Sequence, residues 1–143
     1  WAHEHGPRGG DEVNLVQAGR NYGWPVVTHG TNYDGTPVGE GLTQKEGMEQ
    51  PLHYWTPTSI APSGMTFYTG DRFPNWKGDL FIGALAERAL VRLEVDGEKV
   101  TGEQRLLTDA DMRIREVVQG PDGYLWILTD HDAGQLIKLE PAG

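Results

Sequence analysis

Two stretches of this chain carry residue types at spacings that suggest chemistry. The first is the opening run His3-Glu4-His5-Gly6-Pro7-Arg8-Gly9-Gly10-Asp11-Glu12. In an extended strand His3 and His5 point to the same face, the geometry of a His-x-His metal pair. No third histidine or cysteine follows closely, which argues against a transition-metal site. Gly6-Pro7 and Gly9-Gly10 bend the backbone sharply, and such bends can turn carbonyl oxygens toward a cation. Calcium and other hard cations take carbonyl and carboxylate oxygens together. The same composition also describes an ordinary polar turn before a strand. The second stretch is Arg113-Ile114-Arg115. Two apart in a strand, its guanidinium groups lie on one side, and their planar forks suit carboxylates. Two solvent-facing arginines on a strand edge would read the same way.

The elements that must position these residues are short strands. Runs of strand character recur at 12–16, 22–28, 52–56, 65–68, 79–83, 90–95, 103–107, 114–118, 124–129 and 135–139, each bounded by Gly, Pro, Asp or Asn. Helical periodicity is nearly absent; only residues 85–90 could form one turn. Val95-Asp96-Gly97-Glu98 has type I′ hairpin composition, and Gln119-Gly120-Pro121-Asp122-Gly123 makes a longer link. An internal repeat is also present. Gly78-Asp79-Leu80-Phe81-Ile82 resembles Gly123-Tyr124-Leu125-Trp126-Ile127, and Ala89-Leu90-Val91-Arg92-Leu93-Glu94 resembles Gln135-Leu136-Ile137-Lys138-Leu139-Glu140. A period of roughly 45 residues with strand-only content marks four-stranded propeller blades. The expected fold is therefore all-β, a β-propeller with about three four-stranded blades in this chain. Residues 1–143 read as the C-terminal part of a single propeller domain, with a long loop at about 27–50. Blades bury their faces against neighbours, so the segment alone is not expected to be a stable monomer.

Bulk composition narrows the function. The chain has 143 residues, 20 glycines, 9 prolines, no cysteine and a formal charge of −9. That charge would be repelled by phosphate backbones, so nucleic-acid binding is not expected. No apolar run approaches the roughly 18 residues of a membrane span. Without cysteine there are no disulfides, thiolate metal sites or cysteine nucleophiles. The chain starts at Trp1, which reads as a fragment.

The opening run through Val13-Asn14-Leu15, followed by Gly19-Arg20-Asn21-Tyr22-Gly23-Trp24-Pro25, closely resembles the PQQ-dependent soluble aldose sugar dehydrogenases of the glucose/sorbosone dehydrogenase family. Ile60-Ala61-Pro62-Ser63-Gly64-Met65, Gly78–Leu85 and Met112-Arg113-Ile114-Arg115-Glu116 with Gly120–Gly123 extend the resemblance to the last strand. It implies a six-bladed propeller that oxidises aldose sugars at C1 to lactones by hydride transfer to PQQ, with calcium. The carbonyls of Gly6 and Pro7 would hold the calcium that PQQ also ligates. Arg113 and Arg115 would contact the cofactor, and Arg115 could stabilise negative charge on it in the transition state. A second, structural calcium is implied at Glu12 and the Tyr22 carbonyl, with Asp34 and Glu46 as further candidates.

Tyr54, Trp55 and Ser59 fall where relatives place residues around cofactor and sugar, although Tyr54 and Trp55 could equally pack between blades. Trp24, Trp76 and Trp126 read as core. Some relatives place a PQQ-contacting lysine near Ala86, for which Arg88 is a loose substitute. The family's catalytic histidine lies outside this chain and would come from the missing N-terminal half of the propeller. An external electron acceptor and a periplasmic or secreted location are implied by the resemblance alone. The competing expectation is a non-catalytic, calcium-stabilised propeller segment that binds a ligand or protein through its loops.

Overall fold

Turn residues every few positions keep the strands short, and extended backbone is only locally interrupted. The computed structural model describes residues 1–142 and separates into two compact units, Trp1–Ala61 and Pro62–Gly143. Among the described residues, helix is limited to single 3-10 turns at Pro74–Trp76 and Thr108–Ala110.

The first unit holds β1 (Ala2–Glu4), β2 (Asp11–Asn14) and β3 (His53–Trp55) in one antiparallel sheet ordered β1-β2-β3. Every residue of β2 is buried: Asp11, Glu12, Val13 and Asn14. Strand β1 escaped the sequence reading because its run of polar residues lacks β-branched or alternating character. The strand expected at 22–28 does not form. Gly23 sits at φ 98°, and the amides of Val26 and Val27 both turn back to its carbonyl at 2.7 and 2.9 Å. Pro25 has no amide to offer a ladder, so the segment is a turn. Trp24 is consequently 57% exposed rather than in the core. The long loop is pinned by isolated bridges, Val27 to Leu42, Arg8 to Thr31 and Thr31 to Pro37.

The second unit contains a four-stranded antiparallel sheet, β4 (Pro62–Phe67), β5 (Leu80–Ala84), β6 (Ala89–Asp96) and β7 (Lys99–Leu106), in sequential order. A three-stranded sheet of β8 (Ile114–Gln119), β9 (Leu125–Thr129) and β10 (Leu136–Leu139) follows. The repeat read from sequence maps onto equivalent strands: the second of each sheet (β5, β9) and the third (β6, β10). The chain thus carries three antiparallel sheets, of which one has four strands and two have three. Of residues 85–90, 85–88 form a tight turn and Ala89 and Leu90 begin β6, with no helix. The β6–β7 hairpin closes on Gly97-Glu98, one residue later than Asp96-Gly97 composition suggested. Only Gly97 has positive φ, 62°, which is the type II′ pattern.

The core of this unit lies between its two sheets, where Tyr68, Phe73, Phe81, Leu90, Ile114, Val117, Leu125 and Ile127 interlock. The Tyr68 hydroxyl donates to the Gly123 carbonyl at 2.7 Å and accepts from the amides of Arg72 and Phe73, tying the loops of both sheets. Ser63 donates its hydroxyl to the Ile114 carbonyl at 2.6 Å, so the first strands of the two sheets touch. Gly83 is required there, because a Cβ would stand 2.9 Å from the Ile114 carbonyl oxygen. Both first strands carry a one-residue bulge, between Pro62 and Met65 and between Ile114 and Glu116. The bulge in β8 re-phases the strand, so that Ile114 and Val117, three apart, both point into the core.

Candidate functional site

The opening turn is built around Asp11. Its side chain is fully buried, and its two oxygens collect four donors. The Gly6 amide reaches Oδ1 at 2.8 Å; the Ser59 hydroxyl and the amides of Ile60 and Ala61 reach Oδ2 at 2.6, 2.8 and 3.0 Å. This carboxylate draws the Gly6 bend and residues 59–61 together. Gly6 packs on the Gly9 carbonyl and Gly10 on the Gly30 amide so closely that neither site has room for a Cβ. Gly9 and Gly10 lie at φ 66° and 74°, a conformation that glycine adopts without penalty. Gly6 and Pro7 each present a backbone carbonyl oxygen in this turn. Those two acceptors fit a hard cation. Ser59, expected near cofactor or sugar, spends its hydroxyl on Asp11.

A second acidic feature lies across β1 and β2. Glu4 stands directly opposite Glu12 in the ladder, and Asn14 donates its amide to both, at 3.1 and 3.3 Å. Like charges paired this way repel. Burial pushes the Glu12 carboxyl up to about 7; the Asn14 hydrogen bond opposes that rise, and the charge of Glu4 adds to it. The buried Asn14 Oδ1 has no hydrogen-bond donor. Glu4, Glu12 and Tyr22 line a cleft with about 10 Å³ of free volume, the scale of one water or ion. A divalent cation suits this set of paired carboxylate oxygens. Asp34 and Glu46 do not line that cleft. Asp34 closes its own turn by accepting from the Thr36 amide and hydroxyl, which holds its pKa low, and Glu46 is exposed on a surface hollow with Lys45 and Gln50. Among the described residues no three His, Asp or Glu side chains form a ready-made metal cluster, so any cation here needs backbone carbonyls.

In the second unit Arg113 and Arg115 converge on one carboxylate. Arg113 donates Nε and Nη2 to Asp130 Oδ2 at 3.1 and 2.9 Å, while Arg115 Nε and Nη2 reach Oδ1 at 3.3 and 3.2 Å. Hydrogen bonds from Arg113 and then Arg115 hold the Asp130 carboxyl below the usual range. Arg115 is the bulged residue of β8. Both side chains keep about half their surface exposed, at 42% and 55%. Arg113 and Asp130 also line a cavity of about 330 Å³ with Arg88, Asp111, Met112 and His131, a volume suited to a small organic ligand. Arg88, beside Ala86, is bound to Asp111 at 2.6 Å.

Tyr54 and Trp55 part company, as neighbours on a strand must. Trp55 is buried against the edge of His53, whereas Tyr54 is 43% exposed and stacks on His29 with centroids 3.7 Å apart. Sequence reading passed over Asp11, Glu4, Asn14 and Asp130. Asp130 was findable in principle, since the β8–β9 hairpin brings the residue after Thr129 beside Arg113.

Blade-like antiparallel sheets of three and four strands define the chain as part of a β-propeller protein. The family model of glucose/sorbosone dehydrogenases matches residues 1–138, and the chain belongs to that family. It is 51% identical over 142 residues to the aldose sugar dehydrogenase YliI of Escherichia coli strain K12, covering 99% of this chain and 38% of that protein. A crystal structure of a glucose dehydrogenase superposes with a TM-score of 0.94 at 56% identity, over 98% of this chain and 40% of its own. The PQQ-bound aldose sugar dehydrogenase of Streptomyces coelicolor matches with a TM-score of 0.67 at 25% identity, over 96% of this chain and 38% of its own. The chain therefore spans about two fifths of the length of these relatives.

Proposed function

We propose that this chain is the C-terminal portion of a quinoprotein that oxidises aldose sugars at C1 to lactones, using PQQ and calcium. The observation that carries this reading is the pair Arg113 and Arg115, half-exposed together on Asp130, with Arg113 lining a ligand-sized cavity in a chain of this family. When bound, PQQ supplies the quinone that accepts the hydride from the sugar, with calcium polarising it.

The chain's own residues have narrower tasks. The guanidinium forks of Arg113 and Arg115 bind and orient carboxylates of the cofactor, and the positive end of Arg115 steadies negative charge that develops there during oxidation. The Gly6 and Pro7 carbonyls, held in place through Asp11, offer two oxygens to a calcium ion. Glu12, with Glu4 and the Tyr22 carbonyl, takes a second, structural calcium, which relieves the repulsion across β1 and β2. The exposed ring of Tyr54 offers a face for sugar C–H groups or the quinone plane. The general base is a histidine outside this chain, the electron acceptor is external, and the location is periplasmic or secreted, as the family resemblance implies.

The test uses the full-length protein. Apo-protein loaded with PQQ and calcium is expected to reduce a dye when given aldoses, and replacing both Arg113 and Arg115 by alanine is expected to abolish PQQ uptake. Firm PQQ binding by that double variant removes the arginines from the site. No dye reduction with any aldose leaves a non-catalytic binding module as the better reading.

A further inference from the structure

We infer that Asp130 is a positioning residue: it clamps Arg113 and Arg115 by one edge so that the opposite ends of both forks face a polycarboxylate ligand. The inference rests on the proposed cofactor reading and adds a residue to it. A guanidinium carries five N–H groups in a rigid plane. Arg113 commits Nε and Nη2 to Asp130 and Nη1 to the Leu85 carbonyl at 3.3 Å; Arg115 commits Nε to Asp130, with Nη2 in ion-pair contact at 3.2 Å. Every N–H left over belongs to Nη1 or Nη2, two on Arg113 and four on Arg115. Those ends are the edges free to meet carboxylates side by side.

The clamp is itself held by the sheet. Thr129 pairs with Ile114, and the Asp130 amide donates to the Arg113 carbonyl at 2.8 Å. The bulge at Arg115 brings its side chain onto the second oxygen of the same carboxylate. Long, flexible arginine side chains lose considerable rotamer freedom on binding, and a carboxylate that fixes two of them in advance removes much of that cost from the ligand. A second effect has the opposite sign. Asp130 cancels one of the two positive charges, so deleting its charge strengthens the long-range attraction for an anion. The two accounts predict opposite changes in affinity, which makes the assignment decidable.

The experiment titrates PQQ into full-length apo-protein with calcium present, following absorbance or fluorescence, alongside thermal midpoints without cofactor. If Asp130 positions, D130N weakens PQQ binding about ten- to a hundredfold, the scale on which partners that orient ligating side chains act. The apo midpoint stays put, and D130E recovers most of the affinity. Unchanged or tighter binding by D130N overturns the inference and leaves electrostatics in charge. A loss that D130E does not rescue, or that comes with a lowered apo midpoint, marks a merely structural residue and also overturns it. If R113A/R115A itself binds PQQ as the parent does, the cofactor reading falls first, a result distinct from failure of D130N alone.

Discussion

Asp11 and Asp130 each gather several donors, yet they do opposite jobs. Asp11 is sealed in the first unit, and its partners are backbone amides and a serine hydroxyl. Asp130 is a third exposed in the second unit, and its partners are two guanidiniums that remain half open to solvent. Neutral, short-range donors around a buried carboxylate make a staple, because losing the carboxylate strands several donors at once. Charged, mobile partners at the surface contribute little to stability, but they present unspent hydrogen-bonding capacity to a ligand. Burial and donor type, more than donor count, separate architecture from function here.

The largest effect expected from this contrast is at Asp11. Asp11→Ala leaves the amides of Gly6 and Ile60 without this partner in a closed turn, while the Ala61 amide keeps Ser59 Oγ, and is expected to cost on the order of 4 kcal/mol. Asp11→Asn should recover only part, since its amide must turn an NH2 toward at least one donor. Chemical denaturation of the full-length protein measures both. A loss below about 1 kcal/mol for Asp11→Ala, the size of one ordinary hydrogen bond, would dissolve the distinction between the two aspartates.

Glu12 supplies an intermediate case, a buried carboxylate with too few donors. Its folded pKa of about 7 stands above the ordinary carboxyl value of 4.5. The sign follows: the folded state holds the proton more tightly than the unfolded state, so the Glu12 contribution is intact below pH 4.5 and lost as pH rises through 7. In excess chelator, stability is expected to fall by about 3 kcal/mol across that window and to stay nearly level in Glu12→Gln. Calcium should flatten the parent's profile by giving the ionised pair a partner. A parent profile that is level without calcium would remove the frustration inferred at Glu4 and Glu12.

These differences track what was legible in the sequence. The repeat at Leu80–Ile82 and Leu125–Ile127 located the central strands, because alternation and glycine punctuation are local signals. The Arg113-x-Arg115 spacing was equally local. Asp11 was visible only as one acid in a polar turn, since all its partners but the Gly6 amide lie 48 to 50 residues away. The bulge at Arg115 could not be read either, because it is defined by register against β9. The turn at 22–28 was misjudged when the strand character of Tyr22, Trp24, Val26 and Val27 outweighed Gly23 and Pro25.

The smallest expected effect is the response of the two aspartates to salt, and it separates them most cleanly. Between about 0.1 and 1 M ionic strength the screening length falls from about 10 to 3 Å. The Asp11 staple is dry and built from neutral donors, so the stability difference between parent and Asp11→Ala should be the same at both concentrations. The Asp130 cluster is wet and fully charged, so salt should loosen its grip on both arginines. The Nε–H protons of Arg113 and Arg115, followed by NMR in cofactor-free protein, are therefore expected to exchange faster in high salt and to move together. Their movement together follows from geometry: one carboxylate holds both side chains, and releasing one oxygen frees the group to rotate away from the other. Independent salt responses of the two arginines would show that Asp130 serves each separately, and the shared clamp would reduce to two unrelated surface ion pairs.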